Sequence, residues 1–143
     1  MTLPKLTDFP ARDHDKLRYG DTDRQGHVNN AAFVTFFETG RLGPLHAAWD
    51  FLPPDHSFVI ARTAVDFLAE IFWPGQVDIG TGVKSIGRSS ITLEQALYQG
   101  EKCVGTASSV LVQVDGATRR SSPITDEMRE FMAKFLLPEK SSD

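Results

Sequence analysis

Cysteine occurs once in this chain, as Cys103, so no internal disulfide can form and a reducing, cytoplasmic compartment is expected. The opening residues, MTLPKLTDFPARDHDK, lack the apolar run of a secretion signal, and no stretch elsewhere reaches the length of a membrane span. A soluble protein with no membrane partner follows. No repeat, low-complexity tract or linker divides the 143 residues, which read as one domain, 1–143. Excess positive charge is lacking too. The net charge is −4 and the isoelectric point near 5.5, which argues against nucleic acid but not against a local basic patch for a phosphate-bearing ligand. No second ligand stands at metal-binding spacing from His27, so no metal is expected.

What the chain does have is concentrated in residues 18–41, RYGDTDRQGHVNNAAFVTFFETGR. Two aspartates, a glycine turn, a histidine and paired asparagines stand directly before an apolar helical stretch. The first amides of a helix have no intrahelical partner and lie at the positive end of its dipole. A carboxylate beside them can attack, or direct water at, a carbonyl whose oxygen faces those amides.

Around this motif the pattern gives an order of elements. Residues 1–15 read as an arm, followed by a short strand through Leu17 and Tyr19. A helix starts near Asn29, with Asn29 or Asn30 as its cap, and Gly43-Pro44 should end or kink it. Ala31, Ala32, Phe33, Val34, Phe36 and Phe37 leave it little polar face, which predicts burial on most sides. Period-two alternation then takes over. Val59, Ala61, Thr63, Val65, Phe67, Ala69 and Ile71 fall on one face, with Arg62, Asp66 and Glu70 opposite. Val77, Ile79, Thr81 and Val83 form the next face, Ile91, Leu93, Gln95 and Leu97 another, and Lys102 to Asp115 a last long strand. Turns are marked by Pro74-Gly75, Gly87-Arg88 and Gln99-Gly100-Glu101. Thr125 should cap a C-terminal helix carrying Met128, Phe131, Met132, Phe135 and Leu136, with helix and tail spanning 124–143. Segregated helices and strands predict an α+β fold with an antiparallel sheet of about five strands curled around one helix. Long edge strands favour pairing into a dimer.

The run Asp21-Thr22-Asp23-Arg24-Gln25-Gly26-His27-Val28-Asn29-Asn30, followed by Phe37-Glu38-Thr39-Gly40-Arg41, resembles hotdog-fold acyl-CoA thioesterases of the 4-hydroxybenzoyl-CoA thioesterase-like group. Similarity covers about residues 16–115 and includes Ile86-Gly87-Arg88-Ser89-Ser90. The resemblance implies a hotdog fold, a homodimer or homotetramer, and hydrolysis of an acyl-CoA to free acid and CoA, with CoA entering only as part of the substrate and no cofactor needed. Two other functions stay open: a hydroxyacyl-thioester dehydratase or hydratase, and a non-catalytic acyl-CoA sensor.

By that resemblance Asp23 is the catalytic carboxylate, as nucleophile or as general base; the alternative is an aspartate that merely caps a turn. The backbone amide of Asn30 would polarise the thioester oxygen. His27 would line the pocket, orient a water or donate to Asp23, or else serve as a hydrogen-bonded structural residue. Gly26 and Asn29 complete the turn on the substrate side, and Asp21 should bind turn amides, Arg24 or Arg41. Arg88, Ser89 and Ser90 stand where the family meets the nucleotide phosphates of CoA, with Lys84, Arg62, Arg119 and Arg120 as further cations; a plain polar turn is the alternative. Glu38 and Arg41, three apart, read as an ion pair or as a helix acid near the pocket. The Phe33, Phe36 and Phe37 cluster reads as core, part of which can double as an acyl pocket.

Overall fold

Asn29 settles where the helix begins. Its side chain accepts from the Ala32 amide at 3.0 Å, and helix α1 runs Asn30–Ala48. In the computed structural model, which describes residues 2–138, the strands are β1 (Ala11–Lys16), β2 (His56–Phe67), β3 (Gln76–Ile86), β4 (Ser90–Gln99) and β5 (Lys102–Asp115), followed by helix α2 (Asp126–Ala133). All pairings are antiparallel in the order β1-β3-β4-β5-β2, so the chain makes two successive hairpins in the middle and sends β1 and β2 to opposite edges. The sheet curls around α1 in the expected hotdog arrangement.

Strands β3 and β4 bury the faces that alternation predicted, and β5 adds a third. Val77, Ile79, Thr81, Val83, Ile91, Leu93, Gln95 and Leu97 are all buried, together with Ala107, Ser109, Leu111 and Gln113 of β5. Against them α1 sets a stripe of Ala32, Phe33, Phe36, Phe37, Gly40, Arg41, Pro44 and Ala48. Each fully enclosed ring, such as Phe37, contributes about 2 kcal/mol. One polar side chain fastens helix to sheet: Gln95 Nε2 donates to the Phe37 carbonyl at 2.8 Å and to Thr81 Oγ1 at 2.9 Å. Helix and sheet come closest at Gly40, where a Cβ would run into the Ile79 side chain. Gly40→Ala should therefore lower stability by about 1–2 kcal/mol, because overpacking against a buried β-branched side chain outweighs the gain in helix propensity. A lower denaturant midpoint at unchanged m-value is the expected reading.

The far face of the sheet is covered by the start of the chain. Phe9 packs over Gly80, and Tyr98 Oη donates to the Pro4 carbonyl at 2.6 Å. Burial pushes the Tyr98 hydroxyl above its ordinary range, with Cys103 and Asp8 adding to the effect.

Five expectations need correction. First, the strand placed at Leu17 and Tyr19 lies earlier, at Ala11–Lys16, inside the segment read as an arm. ARDHDK shows no apolar alternation because an edge strand with two solvated faces needs none. Second, β2 stops at Phe67, and a bulge at Ala61 reverses its alternation. Phe58 and Ile60 oppose Gln113 and Leu111 before it, while Thr63 and Val65 oppose Ser109 and Ala107 after it, so Val59 and Thr63 face opposite ways. Third, of the two outcomes expected at Gly43-Pro44, the helix does not end there: α1 continues through Pro44, which is buried within it. Fourth, α1 is buried along one stripe only; Val34 and Leu42 on its other side are exposed. Fifth, α2 ends at Ala133. Beyond it, the Phe135 carbonyl accepts from Val83 and the Leu137 amide donates to the Val83 carbonyl, extending the β3 edge where β1 stops. Of the expected tail to residue 143, positions 139–143 lie outside the described residues.

Candidate active site

The turn before α1 is built by Asp23 from both its backbone and its side chain. The Asp23 amide donates to the His27 carbonyl at 2.8 Å, and the Asp23 carbonyl accepts from Gly26 at 3.1 Å. Its Oδ1 accepts from the Gln25 amide at 2.9 Å and the His27 amide at 3.3 Å. Gly26 holds φ at +83°, a conformation that a Cβ resists, although a Cβ would meet no neighbour there. Asp21 is structural. Its Oδ2 accepts from the Arg18 amide at 3.0 Å, and its carbonyl accepts from the Asn29 amide at 2.9 Å, which locks the turn to the helix cap.

A second segment closes the site from the sheet side. Beyond β2, residues 68–72 leave the strand direction: Leu68 and Ala69 both donate to the Val104 carbonyl, and Val28 donates to the Ile71 carbonyl at 2.9 Å. His27 and Phe72 form an isolated antiparallel bridge, their rings meeting edge-on at 5.3 Å. The His27 Nδ1 lies 3.2 Å from Glu70 Oε1. Between turn and segment opens a cavity of about 430 Å³, lined by Asp23, Gln25, His27, Asn30, Phe33 and Phe67–Glu70 among others.

Three predicted site residues thus share one cavity: Asp23, His27 and Asn30. The amide of Asn30, at the first helical position, has no intrahelical acceptor. Asp23 is exposed in the single chain, and among the described residues both hydrogen bonds to its carboxylate go to Oδ1. The His27 side chain pairs with Glu70; the bonds of His27 to Asp23 are made by its backbone amide and carbonyl. Asn29 acts as the cap of α1 and Gly26 as the turn glycine.

Arg88, Ser89 and Ser90 are elsewhere. They form the β3–β4 turn, while the cavity lies at the other end of β4, where Leu97 opposes Gly105 and Gly105 opposes Phe67. Seven residue steps along β4 separate Ser90 from Leu97, roughly 20 Å. Lys84 is engaged with Glu94 at 3.6 Å. Glu38 is exposed and does not line the cavity; its Oε2 stands 4.0 Å from Nη2 of the buried Arg41. Burial lowers the Arg41 guanidinium below its ordinary range, with the Glu38 carboxylate pulling the other way. Cys103 is a half-buried free thiol, its pKa pushed up by burial.

Sequence reasoning misses Gln25, Phe67, Leu68 and above all Glu70 as wall residues. Alternation assigns Glu70 to the polar face of a continuing strand. Its only sign in the sequence is a carboxylate placed shortly before Pro74-Gly75. Among the described residues no cluster of three His, Cys, Asp or Glu could hold a metal, and no helix is long and apolar enough to cross a membrane.

Comparison with known proteins bears on this geometry. A sequence model of the thioesterase-like superfamily matches residues 17–132. YsmA of Bacillus subtilis (strain 168), described as uncharacterized, is 26% identical over 144 residues, covering 91% of this chain and 96% of that protein. The PA5185 protein of Pseudomonas aeruginosa strain PAO1 superposes with a TM-score of 0.85 at 23% identity, over 96% of this chain and 99% of that one. That identity speaks for the fold alone. A thioesterase of Thermus thermophilus, complexed with coenzyme A and Zn, superposes with a TM-score of 0.77 at 29% identity, over 90% and 95% of the two chains.

Proposed function

The chain belongs to the thioesterase-like superfamily, and from that premise we propose that this thioester hydrolase acts on an acyl-CoA, releasing a free carboxylic acid and CoA. The observation that carries the reading is Asp23 in one cavity with Asn30, the first residue of α1. Turn amides hold Oδ1 and leave Oδ2 for chemistry.

As general base, Asp23 takes a proton from water while the water oxygen bonds to the thioester carbon. Negative charge moves to the carbonyl oxygen, where the Asn30 amide and the helix dipole stabilise it; one such donor is worth about 3 kcal/mol. The C–S bond then breaks, and the sulfur leaves with the electron pair and takes the proton from Asp23. Direct attack by Oδ2 is the covalent variant: the C–S bond breaks as the CoA thiolate leaves, the acyl group rests on Asp23 as an anhydride, and water hydrolyses it to the free acid and the regenerated carboxylate.

CoA binding draws on a second copy. β2 is a 12-residue edge strand carrying exposed Val59, Ile60 and Phe67, features that suit pairing with another β2 across a two-fold axis. Antiparallel pairing sets the Phe67 end of one chain beside the His56 end of its partner. At that end Val59 opposes Val112, and Val112 opposes Ser90, so the Arg88–Ser90 turn lies two strands beyond that β2 and three strand spacings, about 14 Å, from the first chain's Phe67. In the homodimer each cavity therefore combines Asp23 of one chain with the phosphate-binding turn of the other. The free thiol of Cys103 fits a cytoplasmic setting.

The test is thiol release from benzoyl, short, medium and long acyl-CoAs. Turnover on any member supports hydrolysis and begins to define the acyl group. Binding without thiol release indicates a sensor. Hydration of an enoyl-CoA without thiol release indicates a hydratase, a reading weakened by the position of Glu38 outside the cavity.

A further inference from the structure

We propose that Glu70 is a positioning residue for His27, fixing which ring nitrogen carries the proton and so presenting Nε2 as an acceptor for the attacking water. The inference rests on the hydrolase reading for its consequence, but the tautomer itself is measurable without any activity.

The arrangement is over-determined for a chance surface pair. The His27 backbone is held on three sides: its amide by Asp23 Oδ1, its carbonyl by the Asp23 amide, and its strand-like pairing by Phe72. One residue further, Val28 donates to the Ile71 carbonyl, which places Glu70 beside the imidazole. The Phe72 ring stands edge-on to it at an interplanar angle of 88°. Backbone pairing thereby fixes where the imidazole is rooted, and the Phe72 ring packs against one side of it. Nδ1 meets Glu70 Oε1 at 3.2 Å, and both residues line the cavity that holds Asp23.

Energy is not what this pair supplies. The Glu70 side chain is 59% exposed, and exposed ion pairs contribute between nothing and about 1 kcal/mol. What a carboxylate at Nδ1 does supply is a choice of tautomer. A free neutral imidazole populates both forms, whereas an acceptor on one nitrogen fixes the proton there. With Nδ1–H donated to Glu70, the lone pair rests on Nε2. A water that gives one hydrogen to Asp23 can give the other to Nε2, which orients the oxygen lone pair for attack. The charged and titratable groups facing the imidazole are Glu70 from the 68–72 segment and Asp23 from the turn, and no cationic side chain lines the cavity among the described residues. Glu70 thus acts through His27, as the far end of a carboxylate–imidazole–water chain of hydrogen bonds in which Asp23 remains the base.

The experiment is long-range proton–nitrogen NMR of the full protein labelled with ¹⁵N-histidine, at mildly alkaline pH, with His27 identified by its loss in His27→Asn. Wild type is expected to show His27 as the Nδ1–H tautomer. Glu70→Leu, which removes the acceptor, should return the ring to a mixture and lower kcat on the order of tenfold with KM unchanged. Glu70→Gln keeps an acceptor oxygen and should retain both the tautomer and most of kcat. An Nε2–H tautomer in wild type, or a tautomer indifferent to Glu70→Leu, overturns the proposal. So does a Glu70→Leu variant that shifts the tautomer while keeping full kcat. If wild type turns over no thioester, the hydrolase reading fails, while the NMR arm still decides whether Glu70 sets the ring.

Discussion

Asp23→Asn is expected to lower kcat about a thousandfold while the protein folds and binds ligand as before. The two halves of that expectation come from different atoms. Oδ1 is the structural oxygen, accepting from the Gln25 and His27 amides, and an asparagine oxygen can keep both bonds. Oδ2 is the reactive one, and replacing it with an amide nitrogen removes the lone pair and the charge that either mechanism needs. The melting temperature should therefore stay close to that of wild type, and acyl-CoA should still bind with similar affinity. Thiol release, thermal unfolding and calorimetric titration on the same preparation separate the outcomes. A mutant within about tenfold of wild-type kcat would show that Asp23 only shapes the turn. Loss of both folding and activity would show that its bonds to Gln25 and His27 matter more than its charge.

Much of the fold could be read from the chain because the core-facing residues of the central strands recur at every second position. Val77 to Val83 and Ile91 to Leu97 alternate without interruption, and Gln99-Gly100-Glu101 ends one strand and begins the next, with Gly100 at φ +63°. Edges obey no such schedule. β1 is a string of charged residues that becomes a strand only because β3 lies beside it, a partner far away in sequence. The bulge at Ala61 is equally silent, yet it reverses the facing of every β2 side chain that follows it. The site divides along the same line. Asp23, Gly26, His27 and Asn29 were legible because their bonds are local, spanning four residues or fewer. Glu70 was not, since its meeting with His27 depends on the 68–72 segment turning across the head of α1. Arg88 to Ser90 presented the opposite difficulty: the motif was visible, but its distance from Asp23 within one chain was not.

Mixing two inactive variants should restore activity. Asp23→Asn removes the base but leaves Arg88 intact, whereas Arg88→Glu leaves Asp23 intact and repels the nucleotide phosphates of CoA, raising KM steeply. Arg88 is exposed, and its part in the fold is made by its carbonyl, which accepts from Ile124, so the substitution leaves that bond in place. When the two variants are co-refolded in equal amounts, half the dimers carry one chain of each kind. If Asp23 and Arg88 serve a site from different chains, each mixed dimer has one site with both residues native and one with neither. Activity at low substrate should then return to about a quarter of the wild-type value. If both residues served a site from the same chain, no mixed dimer would contain an intact site and nothing would be recovered. The structure favours the first outcome for a simple reason of length. Roughly 20 Å of β4 separates the Arg88 turn from the cavity within one chain, whereas two-fold pairing at β2 brings the partner's turn within three strand spacings, about 14 Å. An edge strand of 12 residues with exposed Val59, Ile60 and Phe67 is what makes that pairing available. A monomer in solution at assay concentration, or a mixture as inactive as its components, would overturn the shared site and return Arg88, Ser89 and Ser90 to the status of a polar turn.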